Sequence, residues 1–185
     1  MAEADVRIAD PADAAEIARI QLSTWRTAYA EVLPAEVLAG LDETAAAEQW
    51  RHTIRHGPAA VFVATEGSWL VGIGAAGPAP EAESADASGA PPADAASVAL
   101  VSALLVEPRW ARRGHGGRLL AAVAAAMRAA GSTRGISWVP EADSASLSFF
   151  RRAGWAPDGT VRTLDAGGRI VREVRLTGGL DVELA

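Results

Sequence analysis

The stretch that decides the reading runs Leu104-Leu105-Val106-Glu107-Pro108-Arg109-Trp110-Ala111-Arg112-Arg113-Gly114-His115-Gly116-Gly117-Arg118-Leu119-Leu120. It opens at the end of a nearly all-apolar run, Val98 to Val106, which reads as a buried central strand. It closes in an Ala-rich helix that continues to Ala130 and stops at Gly131. Between the two lies a glycine-rich turn at residues 111–117. A helix N-terminus offers unpaired N–H donors and the positive end of the helix dipole. Glycines let that backbone approach an anion closely. Arg109, Arg112, Arg113 and Arg118 surround the turn in a chain of net charge −6. The local expectation is a phosphate or pyrophosphate site. The plainer alternative is a tight strand-to-helix turn with solvated arginines.

Outward from this segment the hydrophobic period alternates between helix and strand. Val6 to Ile8 reads as a short strand, and Asp10-Pro11 as a helix start, an N-cap oxygen followed by a ring preset to helical φ. Ala14, Ile17, Ala18, Leu22, Trp25 and Tyr29 then follow at helical spacing. Pro34 opens a second helical stretch, and a third runs from Glu43 to His56 with Gly57 as its stop. Ala60 to Thr65 and Trp69 to Gly74 flank Glu66-Gly67-Ser68 as a hairpin. Residues 77–97 carry Gly, Pro, Ala, Ser and acids without periodicity, and read as a long mobile surface loop. Beyond the deciding segment come a strand from Gly135 to Val139 and a helix from Ser144 to Ala153 closed by Gly154. Val161 to Asp165 and Ile170 to Leu176 form a last hairpin around Ala166-Gly167-Gly168. This order predicts a mixed α/β (α+β) sheet in a single domain over residues 1–185.

Composition narrows the chemistry. The chain has no Cys, which excludes disulfides, thiol nucleophiles and thiolate metal sites. It has no Lys, so all 17 basic side chains are Arg, and a lysine Schiff base or a phosphate loop ending in Gly-Lys-Ser/Thr is excluded. The net charge of −6 argues against nucleic acid as a partner. The first ten residues are acidic without an apolar core, and the longest apolar run, Leu119 to Met127, is far short of a membrane span. No membrane partner and a cytoplasmic location are therefore expected.

A second motif lies downstream: Asp143-Ser144-Ala145-Ser146-Leu147-Ser148-Phe149-Phe150-Arg151-Arg152-Ala153-Gly154-Trp155. Together the two segments resemble the paired motifs of the GNAT N-acetyltransferases. The first family motif reads Gln/Arg-x-x-Gly-x-Gly/Ala after a central strand. Gly114 and Gly116 fit it, Leu119 and Leu120 match its apolar helix pair, and Ala111 stands where Gln or Arg is expected. The second reads Asn-x-x-Ala-x-x-Phe-Tyr followed by Gly-Phe/Trp, and its spacing matches throughout. Trp25, Tyr29, Leu33-Pro34 and Trp50 also look like one branch of the family, so the resemblance covers about residues 6–176.

The resemblance implies a mostly antiparallel central sheet, flanked by helices, whose two central strands run parallel and splay apart. It implies acetyl-CoA as acyl donor, with its pantetheine arm against Leu105 and Val106 and its pyrophosphate on the backbone of Arg112, Arg113, Gly114, His115, Gly116 and Gly117. Asp143 would sit near the pantetheine arm and Phe150 near the sulfur. The acceptor would be an amine, on a small molecule or a peptide, attacking the thioester directly in a ternary complex. A homodimer is also compatible with the family. Two departures bear on catalysis. The family tyrosine that often protonates the thiolate falls at Phe150, and Asp143 replaces the motif's Asn. No acid lies in strands 98–106 or 135–139 where some members carry a base. Tyr29, the only tyrosine, is the first substitute, against a plainer role as a half-buried core aromatic. A protein that binds acyl-CoA or a small cationic ligand without turnover is the alternative.

Other features weigh less. His52 and His56 follow Glu48 on one helix, a spacing that reads first as a solvated face, so no metal is expected. Gly72-Ile73-Gly74-Ala75-Ala76-Gly77 matches a dinucleotide fingerprint but runs into prolines rather than a helix, so the match reads as chance. Trp138 and Trp155 read as core or as walls of the cofactor site.

Overall fold

Aspartates start the helices as their positions suggest. Asp10 Oδ1 accepts the Ala12 N–H at 2.8 Å while the Asp13 carboxylate accepts the Asp10 N–H at 2.7 Å, a reciprocal cap. This cap opens a single 3-10 turn, Pro11–Asp13, before α1 (Ala14–Ala28) begins. Asp42 accepts from the N–H groups of Thr44 and Ala45 at the head of α3 (Glu43–His56), and the short α2 (Ala35–Ala39) follows Pro34. These elements belong to a computed structural model that describes residues 4–30 and 33–182.

Among the described residues seven strands form one sheet: β1 (Ala4–Ile8), β2 (Ala60–Glu66), β3 (Trp69–Pro78), β4 (Val98–Val106), β5 (Arg134–Pro140), β6 (Ala156–Asp165) and β7 (Ile170–Gly179). Their spatial order is β1-β2-β3-β4-β5-β7-β6. Every adjacent pair is antiparallel except β4 and β5. On one face, Ile17 and Ile20 of α1 pack with Val61, Val63, Ile73 and Ala75, and α3 lies alongside through a 2.8 Å bond from Trp50 Nε1 to Gln21 Oε1. On the other face, Leu120, Val123, Ala124 and Met127 of α5 (His115–Ala129) meet Phe150, Trp155 and Leu176. Phe150 comes from α6 (Ser144–Arg152). Among the described residues no helix is long and apolar enough to cross a membrane.

Two glycine pairs set how closely the layers approach. A Cβ at Gly72 would stand 2.8 Å from the Leu105 carbonyl oxygen and 3.1 Å from Leu119 Cδ1, and one at Gly74 would stand 3.3 Å from Val123 Cγ1. The apparent dinucleotide fingerprint is thus strand β3 cleared for the approach of α5. Gly135 and Gly178 face each other across β5 and β7. A Cβ at either would come within 2.4 Å of the Trp155 ring. Trp155 therefore lies on bare backbone, buried in the core rather than walling a cofactor.

The segment 77–97 carries more structure than its composition suggests. β3 continues to Pro78, the four-residue α4 (Glu81–Ser84) follows, and Ser84 and Ala85 are buried. Arg175 of β7, only 6% exposed, binds the carbonyls of Glu83 at 2.9 Å and Ala85 at 2.6 Å, and the Asp158 carboxylate at 2.7 Å. Arg134 holds Asp94 at 2.6 Å. The anchors are arginines far away in sequence, so no local pattern announces them.

Two measurements test this packing. Gly178→Val overpacks the Trp155 site and lowers stability by about 1–3 kcal/mol, read from urea unfolding. The second concerns Glu107, which ties the end of β4 to Arg19 of α1 at 3.0 Å and to Arg109 at 2.9 Å. Burial pushes the Glu107 carboxyl up, but the hydrogen bonds and charges of Arg19 and Arg109 outweigh it and hold the group below its ordinary 4.5. A depressed carboxylate contributes stability that is present above its unfolded value and is lost as pH falls through the folded one. Glu107→Gln is therefore less stable at pH 7 by about 1–2 kcal/mol. It also shows a shallower loss of stability below pH 4.5 than the parent chain.

Candidate active site

β4 and β5 pair only at Val98, Ala99 and Leu100, opposite Arg134, Gly135 and Ile136. Beyond Leu100 they part, and a Ser137 hydroxyl reaching the Val101 carbonyl at 3.0 Å is the last bridge between them. A register shift in the β3–β4 pairing between Ala75 and Ala76 falls at the same level. The Glu107 N–H donates to Val71 C=O at 2.9 Å, toward β3. Backbone direction alternates along a strand, so Leu105 spends its N–H and C=O on β3 while those of Leu104 and Val106 face the gap. Val106 thus turns its backbone groups to the gap, whereas Leu105, which lines the cleft, has its own directed to β3. The strand read as fully buried is only half-buried from Ala103 onward, because the gap beside it is open.

The gap leads to the glycine-rich turn. A 3-10 turn at Pro108–Trp110 carries the chain to Arg112, at φ 64°, the only described non-glycine residue with a left-handed backbone, and to Gly114 at φ 82°. Alternating left- and right-handed residues make successive N–H groups converge into a concave anion-binding nest. No N–H from Arg112 to Gly117 has a backbone acceptor among the described residues; the first such bond is Arg118 to the Gly114 carbonyl at 3.1 Å. The unpaired N–H groups of α5 therefore stand free at the end of the gap. Gly116 serves contact as well as openness, since a Cβ there would meet Phe149 Cε2 at 3.3 Å.

The turn's side chains divide unequally. Arg113 stacks 4.9 Å over the Trp110 ring and pairs with Glu66 at 2.9 Å. The His115 ring is buried and reaches the same carboxylate at 2.9 Å. Arg112 and Arg118 have no carboxylate partner within 4.0 Å among the described residues, which leaves them as the free cations of the turn. Arg118, whose Nη1 reaches the Arg113 carbonyl at 3.3 Å, was not singled out as a cofactor residue by sequence. Its place four residues after Gly114, one helical turn on, is the signal that could have found it.

Where β4 and β5 part, a cavity of about 390 Å³ opens through the sheet. Trp25, Tyr29 and Leu33 wall it on the α1 side, and Asp143, Ser146 and Phe150 on the α6 side. Asp143 caps α6, accepting the Ser146 N–H at 3.0 Å and its hydroxyl at 2.7 Å. Phe150 is 3% exposed and packs edge-on against Phe149. Tyr29 ends α1 inside the cleft. Burial, and then the nearby charges of Asp143 and Glu173, push its phenol up to about 12.

The cleft also holds acids that sequence reading missed. Glu173 of β7 and Glu83 of α4 both line it, and Arg162 of β6 lies between them, 2.6 Å from Glu173 and 2.8 Å from Glu83. The Arg162 guanidinium also covers the Trp138 ring at 4.3 Å. Glu173 sits opposite Pro140 in the β5–β7 register, at the free end of β5. Glu173 lies on β7, outside strands β4 and β5, which carry no acid of their own. The His52 and His56 rings lie 5.2 Å apart on α3, tilted 54° to each other, and no cluster of three His, Cys, Asp or Glu suited to a metal occurs among the described residues.

Similarity to known proteins agrees with this geometry. No curated protein matches the sequence. Solved structures share the fold at low identity. An N-acetyltransferase from Staphylococcus aureus Mu50 is 14% identical, with 97% of this chain and 99% of that one covered at a TM-score of 0.74. The PaiA N-acetyltransferase from Thermoplasma acidophilum, in complex with coenzyme A, is 16% identical, with 92% and 98% covered at a TM-score of 0.67. YncA from Salmonella typhimurium, with its cofactor acetyl-CoA, is 17% identical, with 99% and 97% covered at a TM-score of 0.70. Residues 19–155, most of the chain, match the acetyltransferase (GNAT) family, and the chain belongs to that family.

Proposed function

We propose that this chain transfers an acetyl group, or a related short acyl group, from its CoA thioester to an amine. One observation carries the reading: the unpaired backbone of Leu104 and Val106 continues into the unpaired N–H groups of residues 112–117. A pantetheine arm would complete the hydrogen bonding that β4 loses when β5 departs. A pyrophosphate would occupy the nest and the helix terminus, with Arg112 and Arg118 adding charge. The thioester would then lie near Phe150, facing the cleft.

Chemistry follows from what lines that cleft. A protonated amine loses one proton before attack and a second after its nitrogen bonds to the thioester carbonyl carbon. The C–S bond breaks, the thiolate takes up one proton, and the other goes to solvent. An amine of pKa about 10.4 needs a base at neutral pH. Glu173 is our choice, acting directly or through one water, because it stands in the cleft beside the open end of β5. Tyr29 suits the other role poorly. A phenol at about 12 donates to a thiolate, whose thiol titrates near 8.5, only at a cost of about 5 kcal/mol. We assign Tyr29 to orientation of the acceptor; the thiolate takes the proton that Glu173 removed from the amine, relayed by water, since a protonated carboxyl is a far stronger acid than the phenol. A non-catalytic binder of acyl-CoA remains the second reading, favoured by the missing hydroxyl at Phe150.

Calorimetric titration with acetyl-CoA, with CoA in parallel, tests the cofactor half. Micromolar affinity supports it, and no heat at millimolar ligand defeats it. An amine panel with thiol detection tests turnover. Glu173→Gln then lowers kcat about 100-fold, the scale of a lost general base, and Tyr29→Phe lowers it less than about threefold. Tight cofactor binding without thiol release from any amine would favour the binder instead.

A further inference from the structure

The carboxylate of Glu66 sits beside a turn built for an anion. Like charge should repel a pyrophosphate, so electrostatics alone makes this a poor place for it. Its contacts give another reason for its presence. Glu66 ends β2, and its two oxygens each take one partner: Oε1 receives Arg113 Nη1 at 2.9 Å, and Oε2 receives His115 Nε2 at 2.9 Å. These partners are the residues on either side of Gly114, the left-handed position where the turn enters α5. The His115 ring is 1% exposed, and among the described residues its Nδ1 has no partner, so the bond to Glu66 is the only polar contact there that fixes the ring. Arg113 is held from its other side by the Trp110 face.

We propose that Glu66 is a positioning residue for the cofactor turn: by gripping Arg113 and His115 it holds the intervening N–H groups converged on one point. The inference rests on the CoA reading given above. The grip is a bidentate use of one carboxylate across the most strained bend of the turn, between Arg112 at φ 64° and the first residues of α5. Both partners lie 47 or more residues away in sequence, so the hairpin β2–β3 serves as the fixed wall for the turn. The hydrogen bond from His115 and the charge of Arg113 keep the Glu66 carboxyl below its ordinary range, so the grip persists through neutral and mildly acidic pH.

The sign of one substitution separates the two roles. If Glu66 acted on CoA by charge alone, Glu66→Gln would tighten binding. If it positions the turn, Glu66→Gln weakens CoA at least tenfold. The companion ligand is pantetheine, the same arm without the pyrophosphate, titrated by ligand-observed NMR. Its affinity should change less than twofold, whereas a general loss of structure would weaken both ligands. His115→Leu should reproduce the CoA defect, and His115→Gln, which keeps an N–H donor for Glu66, should restore at least half of the lost affinity. The histidine pair reads the same contact if Glu66→Gln does not fold. CoA binding by Glu66→Gln as tight as the parent, or tighter, overturns the proposal, as does equal weakening of CoA and pantetheine. Failure of the parent chain to bind CoA is a separate result, which removes the cofactor reading and this inference with it.

Discussion

Three paired residues on each of two parallel strands control the rest of the molecule. Val98, Ala99 and Leu100 bond to β5, and then β4 and β5 separate. A sheet interior ordinarily satisfies every backbone group. Here the N–H and C=O groups of Leu104 and Val106 are left to a cleft. Stability comes from the flanks instead. β3 stays paired to β4 through Val106, with one register shift on the way, and β7 to β5 through Pro140. Trp155 rests on the glycine backbone of β5 and β7 just where the two central strands still pair. The parting is therefore built from ordinary packing on both sides of a deliberate vacancy in the hydrogen-bond ladder.

Arginine is the second organising element. With no lysine in the chain, every fixed cation has a planar fork suited to bidentate contacts. Arg175 ties a long crossing segment to β7 through two carbonyls. Arg19 and Arg109 hold Glu107 at the end of β4, and Arg113 with His115 holds onto Glu66. The turn between β4 and α5 is thus clamped at both ends by a carboxylate. Arg162 divides Glu83 from Glu173 in the cleft and lies over Trp138. These contacts hold two carboxylates apart around one guanidinium in the cleft.

Much of this was legible because it is written in local pattern. Aspartate caps, helical periods and the two hairpins appear where composition and spacing place them. The glycine turn appears where residue types place it, and the paired motifs announced the family. The segment 77–97 was not legible, since its anchors are Arg134 and Arg175, far along the chain. Trp155 was ambiguous until Gly135 and Gly178 showed what it rests on.

What the sequence determined by itself was therefore what short-range chemistry dictates: element type outside residues 77–97, capping, the glycine bend and its arginines. Tertiary structure decided which groups face the cleft. The backbone of Val106 is available and that of Leu105 is not, because register with β3 fixes the alternation. Glu83, Glu173 and Arg162 meet because β6, β7 and α4 converge at the free end of β5. Glu66 meets Arg113 and His115 because a hairpin turns back against the head of α5. Contacts of this kind depend on strand order and register across dozens of residues, and no window of sequence short enough to read by periodicity contains both partners.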